Sequence, residues 1–205
     1  MARTSDPARK PALLSEIIEF LLDKPLITLS FRTLALGLGV STYTLVYHFG
    51  TREQLLRDIV TALTDRQDAV EPDFHGDLTD VDAHVEKFRA AWRLGLEPRS
   101  RQLLRLEFEA AMLEMRDDDD HADTRRVMNR WYWMACEGLV RMGIARSDAE
   151  LESRIMIDLL YGLQYDLLVT NDDERATASF ERALVNYGRR LRELLVEQGH
   201  SVPAK

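Results

Sequence analysis

The chain has 205 residues, 45% hydrophobic and 30% charged, with 10 Gly and 6 Pro; it can bury a sizeable core and is neither collagen-like nor low-complexity. Cys136 is the single cysteine, which excludes an internal disulfide and a cysteine-built zinc site and fits a reducing cytoplasm. The formal charge of −8 argues against a polyanionic partner for the chain as a whole, but residues 1–64 carry 7 Lys and Arg against 6 Asp and Glu, so the acidity lies downstream.

The first dozen residues, MARTSDPARKPA, are basic without the apolar stretch of a secretory signal. No later stretch approaches the roughly 18 uninterrupted apolar residues of a membrane span, so a cytoplasmic chain is expected. Residues 1–10 read as a flexible arm whose Arg3, Arg9 and Lys10 either follow a minor groove or serve no role in binding. Leu13, Leu14, Ile17, Ile18, Leu21 and Leu22 recur with helical spacing on a helix opening near Pro11 and stopping at Pro25.

The informative segment follows, LSFRTLALGLGVSTYTLVYHF over 29–49. Ser30 is placed to N-cap a short helix with Phe31, Leu34, Ala35 and Leu38 on its apolar face, and Gly39 supplies the left-handed residue that ends it. Gly37 sits where a better helix former is expected, at a cost of about 1 kcal/mol against Ala unless packing requires it. Ser41 caps a second short helix with Leu45 and Phe49 inward, leaving Thr42, Tyr43, Thr44, Tyr47 and His48 outward. Two short helices around a glycine turn make a helix-turn-helix, which occurs both in DNA readers and as plain scaffold. A further helix opens with the capping box Thr51…Gln54 and carries Leu55, Leu56, Ile59, Val60 and Leu63.

Downstream, helices are expected at about 81–97, 101–116, 121–143, 147–170 and 174–198, the fourth of these opening with a capping box Ser147…Glu150. Breaks fall at 71–80 and in the acidic run 116–123. No strand pattern survives, so the chain reads as all-α with about nine helices: a head over 1–64 and a helical body over 65–205. In the body, Phe180, Leu184, Tyr187, Leu191 and Leu194 form one seam and Ile155, Leu159, Leu163 and Leu167 another; each can close the chain's own core or pair with a second copy.

Residues 11–60 resemble the N-terminal DNA-binding domain of the TetR family of bacterial transcriptional regulators, through LSFRTLA, LGVS at the turn, the HF pair at 48–49 and TREQLL after it. The family usually has Tyr directly after the Leu45 position, where this chain has Val46 with the tyrosine one later, and often Lys at the position of Arg52. The resemblance implies a homodimeric repressor released from a near-palindromic double-stranded operator by a small, largely apolar effector. Ser30, Arg32, Ser41, Thr42, Tyr43, Thr44, Tyr47, His48 and Arg52 are then the DNA-contacting candidates. Among these the capped helix ends and the arginines suit phosphates, and the outward α-helical side chains suit base edges. In the body it implies an effector pocket, with Trp92, Phe108, Met112, Trp131, Tyr161 and Tyr165 as candidate lining and Gln164 as a polar anchor. It also implies a dimer through the last two helices, involving Leu159, Leu163, Leu167, Phe180, Leu184, Tyr187 and Leu191.

Signals for catalysis are poor: His75, His84, His121 and His200 are scattered, and HExxH, GxGxxG, P-loop and GxSxG patterns are missing. No cofactor and no metal are expected; Asp117–Asp120 reads as a solvated acidic loop and Cys136 as a small buried hydrophobe. The rival readings are a helical enzyme or ligand carrier with the hairpin as scaffold, and a helical protein-interaction module.

Overall fold

A computed structural model describes residues 8–70, 80–114 and 122–199, the side chains of 64–70, 114 and 122–128 excepted. Among the described residues there are nine α-helices, one short 3₁₀ turn and no strand. They are α1 (Arg9–Leu21), the 3₁₀ turn (Leu26–Thr28), α2 (Phe31–Leu38), α3 (Thr42–Phe49), α4 (Arg52–Val70), α5 (Val81–Gly95), α6 (Pro98–Glu114), α7 (Ala122–Arg141), α8 (Arg146–Thr170) and α9 (Asp173–Glu197). Two compact units result: residues up to 70 with 102–125, and 71–101 with those from 126 onward. The expected boundary after residue 64 falls inside α4, which runs on to Val70.

The first unit is built on the apolar stripes read from the sequence. Leu13, Ile17, Ile18 and Leu21 of α1, Leu34 of α2, Leu45 and Phe49 of α3, and Leu55, Leu56, Ile59, Val60 and Leu63 of α4 are all buried together with Leu26 and Leu29. Each such side chain contributes roughly 1.5–3 kcal/mol of transfer free energy, which lets two helices of only eight residues persist that would not form alone. Arg9 and Lys10 are not part of an arm: both lie in α1, where Arg9 pairs with Glu16 at 3.3 Å and Lys10 with Asp58 at 2.8 Å. Lys10 also sits over the Phe49 ring. Arg3 lies outside the described residues, as do the acidic run 117–121, His75 and His200.

Gly37 is explained by close approach. A Cβ on it would fall 2.0 Å from the Phe20 ring, so α2 gives up helix propensity in order to lie against α1 at this point.

The second unit closes around α5, α8 and α9. Trp92 stacks on Phe180 with centroids 4.6 Å apart and planes at 8°, and its indole N–H donates to Thr177 Oγ1 at 3.1 Å. Ala135, Cys136 and Leu139 of α7 join the same core, and burial pushes the Cys136 thiol above its ordinary value, as expected of a small hydrophobe. The expected box at Ser147…Glu150 is absent, because α8 already begins at Arg146. Instead Gln198, just past α9, accepts from the Ala145 amide at 2.7 Å and donates to Asp148 at 2.8 Å, capping α8 from a distant part of the chain. Asp80 caps α5, accepting from the Ala83 amide at 2.7 Å.

The α9 seam turns inward. Phe180, Leu184, Tyr187 and Leu191, together with Leu167 of α8, are buried in the chain's own core, while Leu159 and Leu163 are half-buried against it. Within the chain, the α9 stripe is thus packed against α5 and α8. The exposed apolar side chains of these helices are Leu151, Ile155, Tyr165 and Val169 on α8 and Val185 and Val196 on α9.

Candidate nucleic-acid interface

Three consecutive helix starts in the head are held by side chains. Ser30 Oγ accepts from the Thr33 amide at 3.1 Å while Thr33 Oγ1 accepts from the Ser30 amide at 3.1 Å, a reciprocal box at α2. Ser41 Oγ accepts from the Thr44 amide at 3.0 Å at α3. The Thr51–Gln54 box opens α4, with the Gln54 amide donating to Thr51 Oγ1 at 3.2 Å and Gln54 Oε1 accepting from the Thr51 amide at 2.8 Å. Between α2 and α3, Gly39 has φ 65° and ψ 28°, the left-handed conformation that closes α2 and turns the chain into Ser41.

These ends differ electrostatically. Neither α2 nor α3 has an acidic residue in its first turn, so each keeps a positive dipole end that suits an anion. At α4, Glu53 occupies that position: hydrogen bonds from its own backbone amide and from Thr51 hold its carboxyl below the usual range. The α4 end is thus already supplied with a negative charge, and the anion-receptive ends are those of Ser30 and Ser41.

On α3, the outward set resolves into two classes. Thr42, Tyr43, Val46 and Tyr47 form the solvent face, with Tyr43 77%, Tyr47 63% and Val46 48% exposed. The Tyr43 and Tyr47 rings lie parallel-offset, centroids 6.4 Å apart at 23°. Thr44 and His48 are half-buried instead: the Thr44 hydroxyl lies 2.8 Å from Ser41 Oγ, and His48 packs edge-on against Tyr47 at 5.0 Å. Both were expected outward; the helix rotation that sinks Leu45 and Phe49 carries their immediate neighbours partly under, and brings Val46 out. Sequence spacing could have found Val46, which is four residues from Thr42 on the same face.

Arg32 is exposed at the second position of α2. Arg52 is committed in part to the fold, its Nε donating to the Leu29 carbonyl at 3.1 Å, so it ties α4 to the residue before Ser30. The face therefore presents two anion-receptive helix ends, one exposed arginine beside α2, and a two-tyrosine ridge with a valine and a threonine. That combination holds phosphates with amides and cations and offers hydroxyl and apolar groups to base edges.

The candidate effector residues are divided between the two units. Trp92 is closed inside the core with its N–H satisfied, and Tyr165 is exposed. Phe108 and Met112 belong to the first unit. Trp131 and Tyr161 are half-buried against the core of the second.

No protein-family model and no curated protein matches the sequence. Solved structures do match its shape. A transcriptional regulator from Rhodococcus sp. RHA1 shares 18% identity at a TM-score of 0.69, covering 95% of this chain and 99% of its own. A TetR transcriptional regulator from Legionella pneumophila shares 16% at 0.66, covering 93% and 98%. The multidrug-binding protein EbrR, solved with ethidium, shares 22% at 0.62, covering 87% and 99%. With a helix-turn-helix head followed by a helical body along nearly the whole length, the chain has the fold of the TetR-type transcriptional regulators.

Proposed function

We propose that the chain is a sequence-specific DNA-binding transcriptional regulator acting as a homodimeric repressor. The observation that carries this is the solvent-facing α3, with Tyr43, Val46 and Tyr47 exposed on a helix whose opposite face is anchored by buried Leu45 and Phe49. A helix of this kind enters a major groove, while the amides at the starts of α2 and α3 and the Arg32 guanidinium take the flanking phosphates. Base reading falls to Thr42, Tyr43, Val46 and Tyr47, with Val46 suited to a thymine methyl. No described helix is long and apolar enough to cross a membrane, in keeping with action on DNA.

One such head is small for a specific interface, so two are needed. The exposed α8 side chains Leu151, Ile155, Tyr165 and Val169, with Val185 of α9, form the surface for a second copy. A two-fold pair places its recognition helices in successive major grooves about 34 Å apart on a near-palindromic operator. A small apolar effector acts on the second unit, in line with the ethidium held by EbrR, and Trp131 and Tyr161 are its aromatic candidates. The effector weakens operator binding; coupling of about 1–3 kcal/mol changes affinity roughly 5- to 150-fold.

The test is a mobility shift of the purified protein with the DNA flanking its own gene. A shift that survives excess random competitor is expected; one that competitor abolishes, in every flanking fragment, would refute the reading.

A further inference from the structure

The corner where α1 passes into the 3₁₀ turn is closed by side chains of α6. Arg105 donates from one Nη to the carbonyls of Leu21 at 3.0 Å and Leu22 at 2.9 Å, and from the other to Glu109 Oε1. The second oxygen of Glu109 accepts from the Leu26 amide at 2.5 Å. Gln102, one turn earlier, donates to Asp23 at 2.5 Å. Positions 102, 105 and 109 share one face of α6, and together they touch the corner at four residues.

The polarity of each contact matches the backbone it meets. The guanidinium sits at the carbonyl end of α1, where the helix dipole is negative. The carboxylate takes the first amide of the 3₁₀ turn, which has no partner within the turn. The Arg105–Glu109 pair bridges the two, each partner about 30% exposed. Partly solvated pairs of this kind add little to stability, so their net effect is directional: they fix where Leu26 and the turn lie. The turn leads through buried Leu29 directly into Ser30 and α2, the helix against which the base-reading α3 packs.

We propose that Gln102, Arg105 and Glu109 are positioning residues for DNA recognition. They touch no DNA themselves; they hold the α1 corner and the turn, and so set the bearing of the α2 start that α3 packs against. This inference rests on the regulator reading.

The experiment uses the full chain carrying Arg105→Ala, Glu109→Ala, the double variant, or Glu109→Gln, which keeps an acceptor for the Leu26 amide. Binding to operator and to random DNA is measured across a salt series, and amide exchange is followed over 21–38. Arg105→Ala and Glu109→Ala should each weaken operator binding about tenfold, with the double variant no worse than either. Affinity for random DNA and the salt slope should stay at wild-type values, because no phosphate contact is removed. Leu26 should exchange faster in Glu109→Ala and close to wild type in Glu109→Gln. An unchanged Leu26 exchange rate in Glu109→Ala overturns the clip, and so does parallel loss of operator and random binding. If the wild-type protein prefers no sequence at all, the regulator reading falls and this role falls with it, while the exchange data still report whether the clip exists.

Discussion

Acid should weaken the second unit well before its carboxylates alone would, because of His84. This side chain is buried on α5, its Nε2 3.0 Å from the Tyr187 hydroxyl and its ring edge-on to Phe88 at 5.4 Å. Burial chiefly, and the nearby Lys87 charge to a smaller extent, lower its pKa from 6.5 to about 4. In the unfolded chain the imidazole takes a proton near its ordinary value, whereas in the fold it stays neutral until about pH 4. The unfolded state thus binds the extra proton between those limits. The contribution is complete above pH 6.5 and is lost as pH falls toward 4, amounting to roughly 3 kcal/mol. All three tryptophans lie in residues assigned to the second unit, so fluorescence-monitored urea unfolding follows it selectively. Run at fixed protein concentration from pH 7 to 4, the wild type should lose about 3 kcal/mol more than His84→Gln, which keeps a polar partner for Tyr187 but does not titrate. Equal losses in the two proteins would show that the depressed imidazole is not what acid attacks.

Four further outcomes are expected. Ser30→Ala should cost the head about 1 kcal/mol by removing the α2 box, read as faster amide exchange in α2. Gly39→Ala meets no atom within 4 Å yet should destabilise by about 1–2 kcal/mol, because the left-handed backbone alone resists a Cβ; a shift in urea midpoint measures it. In DNA titrations, Arg32→Ala should weaken specific and random binding alike and lower the salt slope by about one phosphate, whereas Tyr43→Ala and Tyr47→Ala should relax base preference at constant slope. Gly162→Arg places a long cation on the exposed apolar face of α8, where a Cβ meets nothing within the chain; sedimentation should then show monomer where the wild type shows dimer.

The head was legible because its signals are local. A cap is a side chain three residues from the amide it satisfies, so Ser30, Ser41 and Thr51 announce their helices in the sequence, and Gly39 announces the turn. What escaped was everything settled by distant partners. Arg105 and Glu109 stand four apart on α6, and nothing near them in the sequence signals that their other atoms close a corner some eighty residues earlier. Gln198 caps α8 across about fifty residues, which no local pattern records, and the Ser147 box that local pattern favoured lost to it.

The α9 seam shows a different limit, and it bears on the dimer. A stripe of apolar residues specifies that it will be buried, not by what: Phe180, Leu184, Tyr187 and Leu191 satisfy the same spacing whether α5 or a second copy covers them. What distinguishes the cases is how many faces of a helix are apolar. α8 buries Met156, Ile157, Leu160 and Leu167 inward and still leaves Leu151, Ile155, Tyr165 and Val169 in solvent, so it carries apolar groups on more than one side. A helix with a single stripe is content at a surface, whereas one that is apolar on two sides needs cover on both. The chain supplies the inner cover through α9, and the outer face is the one left for the second copy that the proposed dimer requires.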